Sequence, residues 1–171
     1  PSEACQPYQD EDGRVILKAL AEKVVDSITG QPATVIKASK KDKKQPPPLP
    51  YNLSALQIDA AKRFGLSAKQ VLDACQVLYE RHKLLTYPRS DSRYLPKQHF
   101  FEAPQVLGAI KHNSELLSAM VGDADPQLKS QAWNDSKVEA HHAIIPTEKR
   151  VNVKTLGLSE RNIYELVARQ Y

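Results

Sequence analysis

The sequence SALQIDAAKRFGLSAKQVLDACQVLYERH occupies residues 54–82 and predicts two consecutive helices with a short break between them. Ser54 is suited to cap the first helix, which Gly65 interrupts. Ser67 is suited to cap the second, which runs to about His82 with its apolar residues along one stripe. The pair has the outline of a helix-turn-helix, a DNA-reading motif. Every αα-hairpin has that outline, so plain helix packing stays open as an interpretation.

Helical periodicity extends over most of the chain that follows. Further helices are predicted at residues 97–112, 114–121, 126–133 and 159–171. The chain has 171 residues, of which 41% are apolar, so it is long enough to bury a core. The predicted fold is therefore mainly α, with a multi-helix domain over residues 51–171.

A run of prolines, QPPPLP at residues 45–50, separates this domain from the chain that precedes it. Such a run favours polyproline II and ends regular structure on either side. Upstream, the apolar spacing predicts a helix over residues 14–29, and β-branched residues predict a short strand over residues 33–39. A piece of this size buries too little surface to fold alone. Residues 1–50 are therefore expected to be a small α+β part of a domain completed by further chain.

Composition excludes several classes of protein. Cys5 and Cys75 lie too far apart in sequence for a CxxC metal site, and two cysteines do not make a disulfide framework. We find no apolar run of the roughly 20 residues that a membrane span needs, and no leader peptide at the start. The sequence predicts an intracellular protein that is not a membrane protein, a secreted disulfide scaffold or a zinc finger.

The net charge of +4 is concentrated in one window. Residues 81–97 hold five arginines and lysines against a single fixed acid, Asp91. A local field of this sign attracts phosphates, with an affinity that falls as the salt concentration rises. A solvated helix end followed by a polar loop would have the same composition, so charge alone does not assign a function.

The candidate chemistry lies inside this window, in LLTYPRSDSRYL at residues 84–95. Pro88 disfavours helix at Tyr87, and in extended chain the Tyr87 hydroxyl and the Arg89 guanidinium would share one side. A phenol is a nucleophile for a phosphodiester, and an arginine fork binds its non-bridging oxygens. Forming phenolate at neutral pH costs about 4 kcal/mol, so a proton acceptor or a metal is also expected.

Three segments of the sequence, taken together, resemble type IA DNA topoisomerases in the form typical of bacterial topoisomerase III. We call them the entry motif (PPPLPYNLSALQ, residues 46–57), the tyrosine motif (LLTYPRSDSRYLP, residues 84–96) and the histidine motif (EAHHAIIPT, residues 139–147). They occur in the family's order, and the resemblance spans roughly residues 10–171. It implies that residues 1–50 are part of the family's arch domain and that residues 51–171 form its helical domain with the active-site tyrosine.

The resemblance also implies roles for individual residues. Tyr87 would attack a single-stranded DNA phosphate and hold the 5′ end covalently while strand passage and religation follow. Arg89 would position the scissile phosphate, and His141 would contact the DNA near it and support the transition state. Further candidate DNA-binding residues are Ser90, Asp91, Ser92, Arg93, His142 and Thr147. Without the surrounding motif, His141 would be interpreted as a structural histidine, since adjacent histidines alone are rarely a zinc site.

The family binds Mg²⁺ in an acidic toprim domain that precedes this region, and we expect no metal site in this chain. Its acidic groups at residues 10–12 and at residues 123 and 125 lie in turn-like sequence. The implied partners are single-stranded DNA and the rest of the same polypeptide, with no membrane, in the bacterial cytoplasm at the nucleoid. The chain alone is expected to be inactive. The alternative hypothesis is a DNA-binding or interaction module without a covalent step.

Overall fold

The computed structural model describes residues 7–171, and Cys5 lies outside the described residues. The chain divides into two compact units, with the division between Lys43 and Lys44. The assignment of these parts to an arch domain and a tyrosine domain stays a prediction.

Among its described residues, the first unit contains one α-helix, α1 (Lys18–Ile28). It begins later than the predicted residue 14 because Arg14 belongs to a turn, where its main-chain N–H and its guanidinium both donate to the Asp10 carboxylate. The predicted strand at residues 33–39 is wrong, since residues 31–50 form neither helix nor strand. Ile36 is 95% exposed. A β-branched run needs a partner strand, and this segment has none within the described chain.

The second unit opens with the two helices of the predicted pair, α2 (Leu53–Phe64) and α3 (Ala68–Glu80), which pack against each other. The cap of α2 is Asn52, whose side chain accepts from the main-chain N–H of Ala55 at 2.9 Å, so the predicted Ser54 cap is wrong. Gly65 ends the helix in the left-handed region at φ 68°. The predicted cap of α3 is confirmed.

That cap is a reciprocal capping box. The Ser67 hydroxyl accepts from the N–H of Gln70, and the Gln70 side chain accepts from the N–H of Ser67. At its other end, α3 stops at Glu80, before the predicted residue 82, because Lys83 adopts a left-handed φ of 57°. The chain then turns back, and the main-chain N–H of Leu84 donates to the carbonyl of Leu78 at 2.8 Å. A left-handed lysine costs roughly 1 kcal/mol relative to glycine.

The remaining helices follow the sequence prediction with one exception. A 3₁₀-helix (Lys97–Glu102) leads into α4 (Ala103–Asn113), and α5 (Glu115–Gly122) and α6 (Leu158–Gln170) lie close to their predicted bounds. The predicted helix at residues 126–133 is wrong. Leu128 there is 74% exposed, so no apolar face is buried to stabilise a helix.

Helix α6 forms the centre of the core. Its fully buried Ile163 and Tyr164 pack in the same cluster as Leu56 of α2 and Leu78 of α3. A second, smaller cluster contains Leu95, Ala143 and Ile145. The predicted mainly α fold is confirmed for the described residues, and none of their six helices has the length and apolar content to cross a membrane.

Asn113, at the end of α4, is the polar junction of this core. Its amide nitrogen donates to the Lys149 carbonyl at 2.8 Å and to the Tyr164 hydroxyl at 2.9 Å. Its oxygen accepts from the N–H of Val151 at 2.7 Å. The side chain is 3% exposed, so water does not replace these partners. Asn113 therefore ties the chain after the histidine motif to α4 and α6.

Replacing Asn113 with leucine is expected to lower the free energy of unfolding by about 3 kcal/mol, because three groups lose their hydrogen bonds to this buried side chain. Urea denaturation followed by circular dichroism measures this change. The neighbouring exposed residue His112, replaced with alanine, is the control and should cost less than about 0.5 kcal/mol. Equal losses in the two variants would contradict this interpretation of Asn113.

Candidate active site

The histidine motif pairs with the tyrosine motif through the main chain. The N–H of Thr86 donates to the carbonyl of Ile145 at 3.0 Å, and the N–H of Thr147 donates to the carbonyl of Leu84 at 3.0 Å. The Thr86 hydroxyl adds two bonds, donating to the Ala143 carbonyl at 3.2 Å and accepting from the N–H of Ile145 at 3.0 Å. The chain immediately before Tyr87 is therefore held in a fixed register.

The histidine motif has further partners beside this pairing. The N–H of Ile144 donates to the carbonyl of Tyr51 in the entry motif at 2.8 Å, and the N–H of Ala143 donates to the carbonyl of Tyr94 at 2.9 Å. All three motifs thus converge on one short stretch of main chain. Segments that are far apart in sequence are joined there by main-chain hydrogen bonds of 2.8–3.0 Å.

Tyr87, the predicted nucleophile, is half-buried and makes two ring contacts. Its ring centroid lies 4.3 Å from that of His141, with the planes tilted by 34°. The ring of Tyr79, in the last turn of α3, lies edge-on at 5.9 Å with an interplanar angle of 83°. The structure therefore brings together the phenol and the imidazole that the sequence singled out.

The second histidine of the pair, His142, has a different environment. Its ring packs edge-on against His99, with centroids 4.9 Å apart, and its Nδ1 lies 2.8 Å from the Ala143 carbonyl. Burial lowers the pKa of His142, and the neighbouring His99 and His141 lower it further. Of the two adjacent histidines, only His141 is stacked on Tyr87.

Arg89 and His141 line the same open cleft, which has a volume of about 520 Å³. Pro88 and Arg89 form a turn, so the predicted extended chain through Arg89 is wrong. Strand alternation therefore does not place the exposed Arg89 guanidinium beside Tyr87. Instead, Arg89 shares the cleft with His141, whose ring contacts Tyr87. The charged residues that line the cleft are Arg89, Arg93, Lys137, Asp91 and Glu139.

Several predicted DNA-binding residues hold the site's own main chain. Ser90 is 1% exposed, its carbonyl accepts from the N–H of Leu53, and its hydroxyl accepts from the N–H of Ser92. The Ser92 hydroxyl donates to the Lys137 carbonyl at 3.3 Å. Thus these two serines shape the loop after Arg89.

Arg93 and Thr147 are likewise engaged by the protein. The Arg93 guanidinium donates to the carbonyls of Pro50 at 2.9 Å and Leu49 at 2.8 Å, fastening the end of the proline run. The Thr147 hydroxyl donates to the Lys83 carbonyl at 2.6 Å. Asp91 is the exposed member of the predicted set, although its carbonyl accepts from the Asn52 amide. A role for these residues in DNA binding stays a prediction.

Comparison with known proteins identifies the family. A profile described as DNA topoisomerase matches residues 2–171. The chain belongs to the type IA DNA topoisomerases. It is topoisomerase III-like, being 58% identical over its whole length to DNA topoisomerase 3 of Vibrio cholerae and to that of Haemophilus influenzae. It is 41% identical over 96% of its length to DNA topoisomerase 3 of Bacillus cereus.

The chain spans about a quarter of these relatives, 26% of the Vibrio and Haemophilus proteins and 23% of the Bacillus protein. The structure of full-length topoisomerase I from Thermotoga maritima has a similar fold, with a TM-score of 0.60 at 23% identity. That likeness covers 95% of this chain and 26% of the Thermotoga chain. The fold is therefore shared with a type IA enzyme of divergent sequence.

The resemblance implies a magnesium ion in the whole enzyme, but the described residues of this segment do not form a ligand set for it. No three His, Cys, Asp or Glu side chains in residues 7–171 come together in a way that could hold a metal ion. The acids at residues 10 and 12 instead pair with Arg14. We therefore assign no step at this site to a metal held by this chain.

Sequence reasoning missed one residue of the site, Tyr79. Its spacing on α3 placed it on the apolar stripe of that helix, and an aromatic residue at helical spacing is ordinarily part of a core. The signal that could have found it is its position in the last turn of α3, eight residues before Tyr87. The return of the chain after Lys83 brings the two rings together.

Proposed function

We propose that this segment performs the covalent step of a type IA topoisomerase, with Tyr87 as the nucleophile and single-stranded DNA as the substrate. The Tyr87 oxygen forms a bond to a backbone phosphorus, and the bond from that phosphorus to the 3′ oxygen breaks. The phenolic proton passes to an acceptor, and the 3′ oxygen leaves as a hydroxyl. The product is a 5′-phosphotyrosyl link, which the same hydroxyl reverses after strand passage.

The observation that carries this proposal is the contact between Tyr87 and His141. Two residues 54 positions apart, each singled out by its motif, pack ring to ring at 4.3 Å. A half-buried tyrosine does not need an exposed imidazole for packing, whereas a nucleophile does need a polar group beside the phosphate. His141 would donate to a non-bridging oxygen as charge develops there.

Arg89 supplies the second anchor of the proposed site. Its guanidinium is exposed in the cleft that His141 also lines, so a phosphate seated there is within the field of a fixed positive charge. A planar fork binds two oxygens of one phosphate at once and so fixes its orientation. Tyr87 would then attack a phosphate whose position is already set.

The whole enzyme would contain more than this segment. We propose that the remainder of the polypeptide holds Mg²⁺ in a toprim domain, and that the full-length protein acts on DNA in the bacterial cytoplasm. When bound, that magnesium would supply positive charge at the phosphate. A DNA-binding module without a covalent step is the competing hypothesis, and the variants below distinguish the two.

In the full-length protein, Tyr87→Phe is expected to abolish covalent adducts with a labelled single-stranded oligonucleotide, detected under denaturing conditions. Phenylalanine keeps the ring contacts with His141 and Tyr79 but lacks the attacking oxygen. Tyr94→Phe, in the same motif, is the matched control and should keep adduct yield within about threefold, about 0.7 kcal/mol. Normal adducts in the Tyr87 variant would favour the non-catalytic module.

The adjacent histidines offer a second matched pair. His141→Gln is expected to lower the rate of adduct formation by about tenfold or more, because the group beside Tyr87 is lost. His142→Gln should change that rate by less than about threefold, since its ring packs against His99. Single-turnover cleavage at saturating DNA measures both. An equal loss in the two variants would remove His141 from its proposed role.

This 171-residue chain, taken alone, is expected to fold and to form no covalent adduct with DNA in the presence of magnesium. The proposed step also needs a proton acceptor, which we assign to the remainder of the polypeptide. It should still bind single strands weakly, with an affinity that falls as salt rises. Denaturing electrophoresis and fluorescence anisotropy test these statements. A Tyr87-dependent adduct would show that the chain activates its own nucleophile.

A further inference from the structure

Tyr79 and Lys83 form a small assembly behind the proposed nucleophile. The Tyr79 ring meets Tyr87 edge-on at 5.9 Å, and the Lys83 ammonium lies 5.7 Å from the centroid of the Tyr79 ring. Lys83 follows Tyr79 by one helical turn. A cation, an aromatic ring and the Tyr87 ring are therefore in successive contact.

The backbone at Lys83 is unusual. Within residues 7–171 it is the one residue other than glycine with a positive φ, at 57°. It ends α3 at the position where glycine is ordinarily preferred, since the following N–H, that of Leu84, returns to the carbonyl of Leu78. Glycine would adopt this conformation without a steric cost, so a lysine here carries a local backbone strain.

Lys83 makes two contacts, one through its carbonyl and one through its side chain. The Lys83 carbonyl accepts from the Thr147 hydroxyl at 2.6 Å, which ties the end of α3 to the histidine motif. The Lys83 side chain reaches back over Tyr79, where a cation is attracted to the face of the ring. The same residue thus links the histidine motif to the aromatic group beside Tyr87.

We propose that Tyr79 is a positioning residue for Tyr87, and that the Lys83 ammonium holds Tyr79 in place. The proposal rests on the proposed function, because it concerns the placement of the attacking oxygen. A tyrosine on a loop can change its χ1 rotamer, and displacing the oxygen by an ångström costs much of the rate. Contacts from Tyr79 and His141 together restrict the Tyr87 ring to one orientation.

The first test replaces the Tyr79 ring in the full-length protein. Tyr79→Leu removes the aromatic contact and is expected to lower the adduct-forming rate at saturating single-stranded DNA by about tenfold, with the dissociation constant for DNA within about twofold. Tyr79→Phe keeps the ring and should retain the rate within about 1.5-fold. A wild-type rate in the leucine variant would overturn the proposal. A higher dissociation constant for DNA with an unchanged rate would also overturn it.

The second test separates positioning from stability at Lys83. Lys83→Gly relieves the left-handed backbone, so the midpoint of thermal unfolding should be unchanged or raised while the adduct-forming rate falls about threefold. Lys83→Met should lower the adduct-forming rate by a similar factor. Lys83→Arg should retain the wild-type rate, because arginine keeps a cation over the ring. Unchanged rates in both the glycine and methionine variants would overturn the role of Lys83, even if Tyr79→Leu did not fold.

Failure of this inference is distinguishable from failure of the proposed function. Tyr87→Phe is assayed beside the other variants. Adducts that persist in it would overturn the covalent mechanism itself. Adducts that vanish in it, with full rates in the Tyr79 and Lys83 variants, would leave the mechanism standing and overturn the positioning role alone.

Discussion

Main-chain hydrogen bonds to the histidine motif hold the site together. The stretch from Ala143 to Thr147 takes partners from the entry motif and from both ends of the tyrosine motif. In the described residues these segments pair only through isolated β-bridges, so the register depends on individual bonds and on the Thr86 hydroxyl, which makes two of them. Breaking such partly buried bonds is costly where the separated donor or acceptor is left without a partner. These bonds therefore fix the register of the chain that immediately precedes Tyr87.

Most polar residues of the tyrosine motif support this frame. Ser90, Ser92 and Arg93 bond to the protein's own main chain and leave Arg89 exposed in the cleft. This division resembles many active sites, where a few groups face the substrate and their neighbours fix them. A motif read from sequence contains both kinds of residue without distinguishing them. Only the contacts separate Arg89 from Arg93.

A local backbone strain lies four residues before the half-buried Tyr87. Lys83 adopts a left-handed backbone at the end of α3, and the chain turns there toward Tyr87. Such strain persists where the surrounding structure over-determines it, here through the Thr147 hydroxyl and the bond that ends the helix. The packing of α2, α3 and α6 in one core offsets the free-energy cost of this strained residue. The site is thus placed by an ordinary helical core and by one unusual turn.

The sequence by itself determined the helical class, the Ser67 cap of α3, the break at Gly65 and the family to which the motifs belong. These depend on local spacing and on side chains bonding to their own neighbours. Local patterns failed at residues 33–39, which lack a partner strand, and at residues 126–133, which bury no face. Only the tertiary structure decided that His141 and not His142 meets Tyr87, that Tyr79 joins them, and that Arg93 holds the proline run. Each of these contacts joins residues that are distant in sequence or that a turn at the strained Lys83 brings together. The periodicity of a sequence describes neighbours along one element and does not predict such contacts.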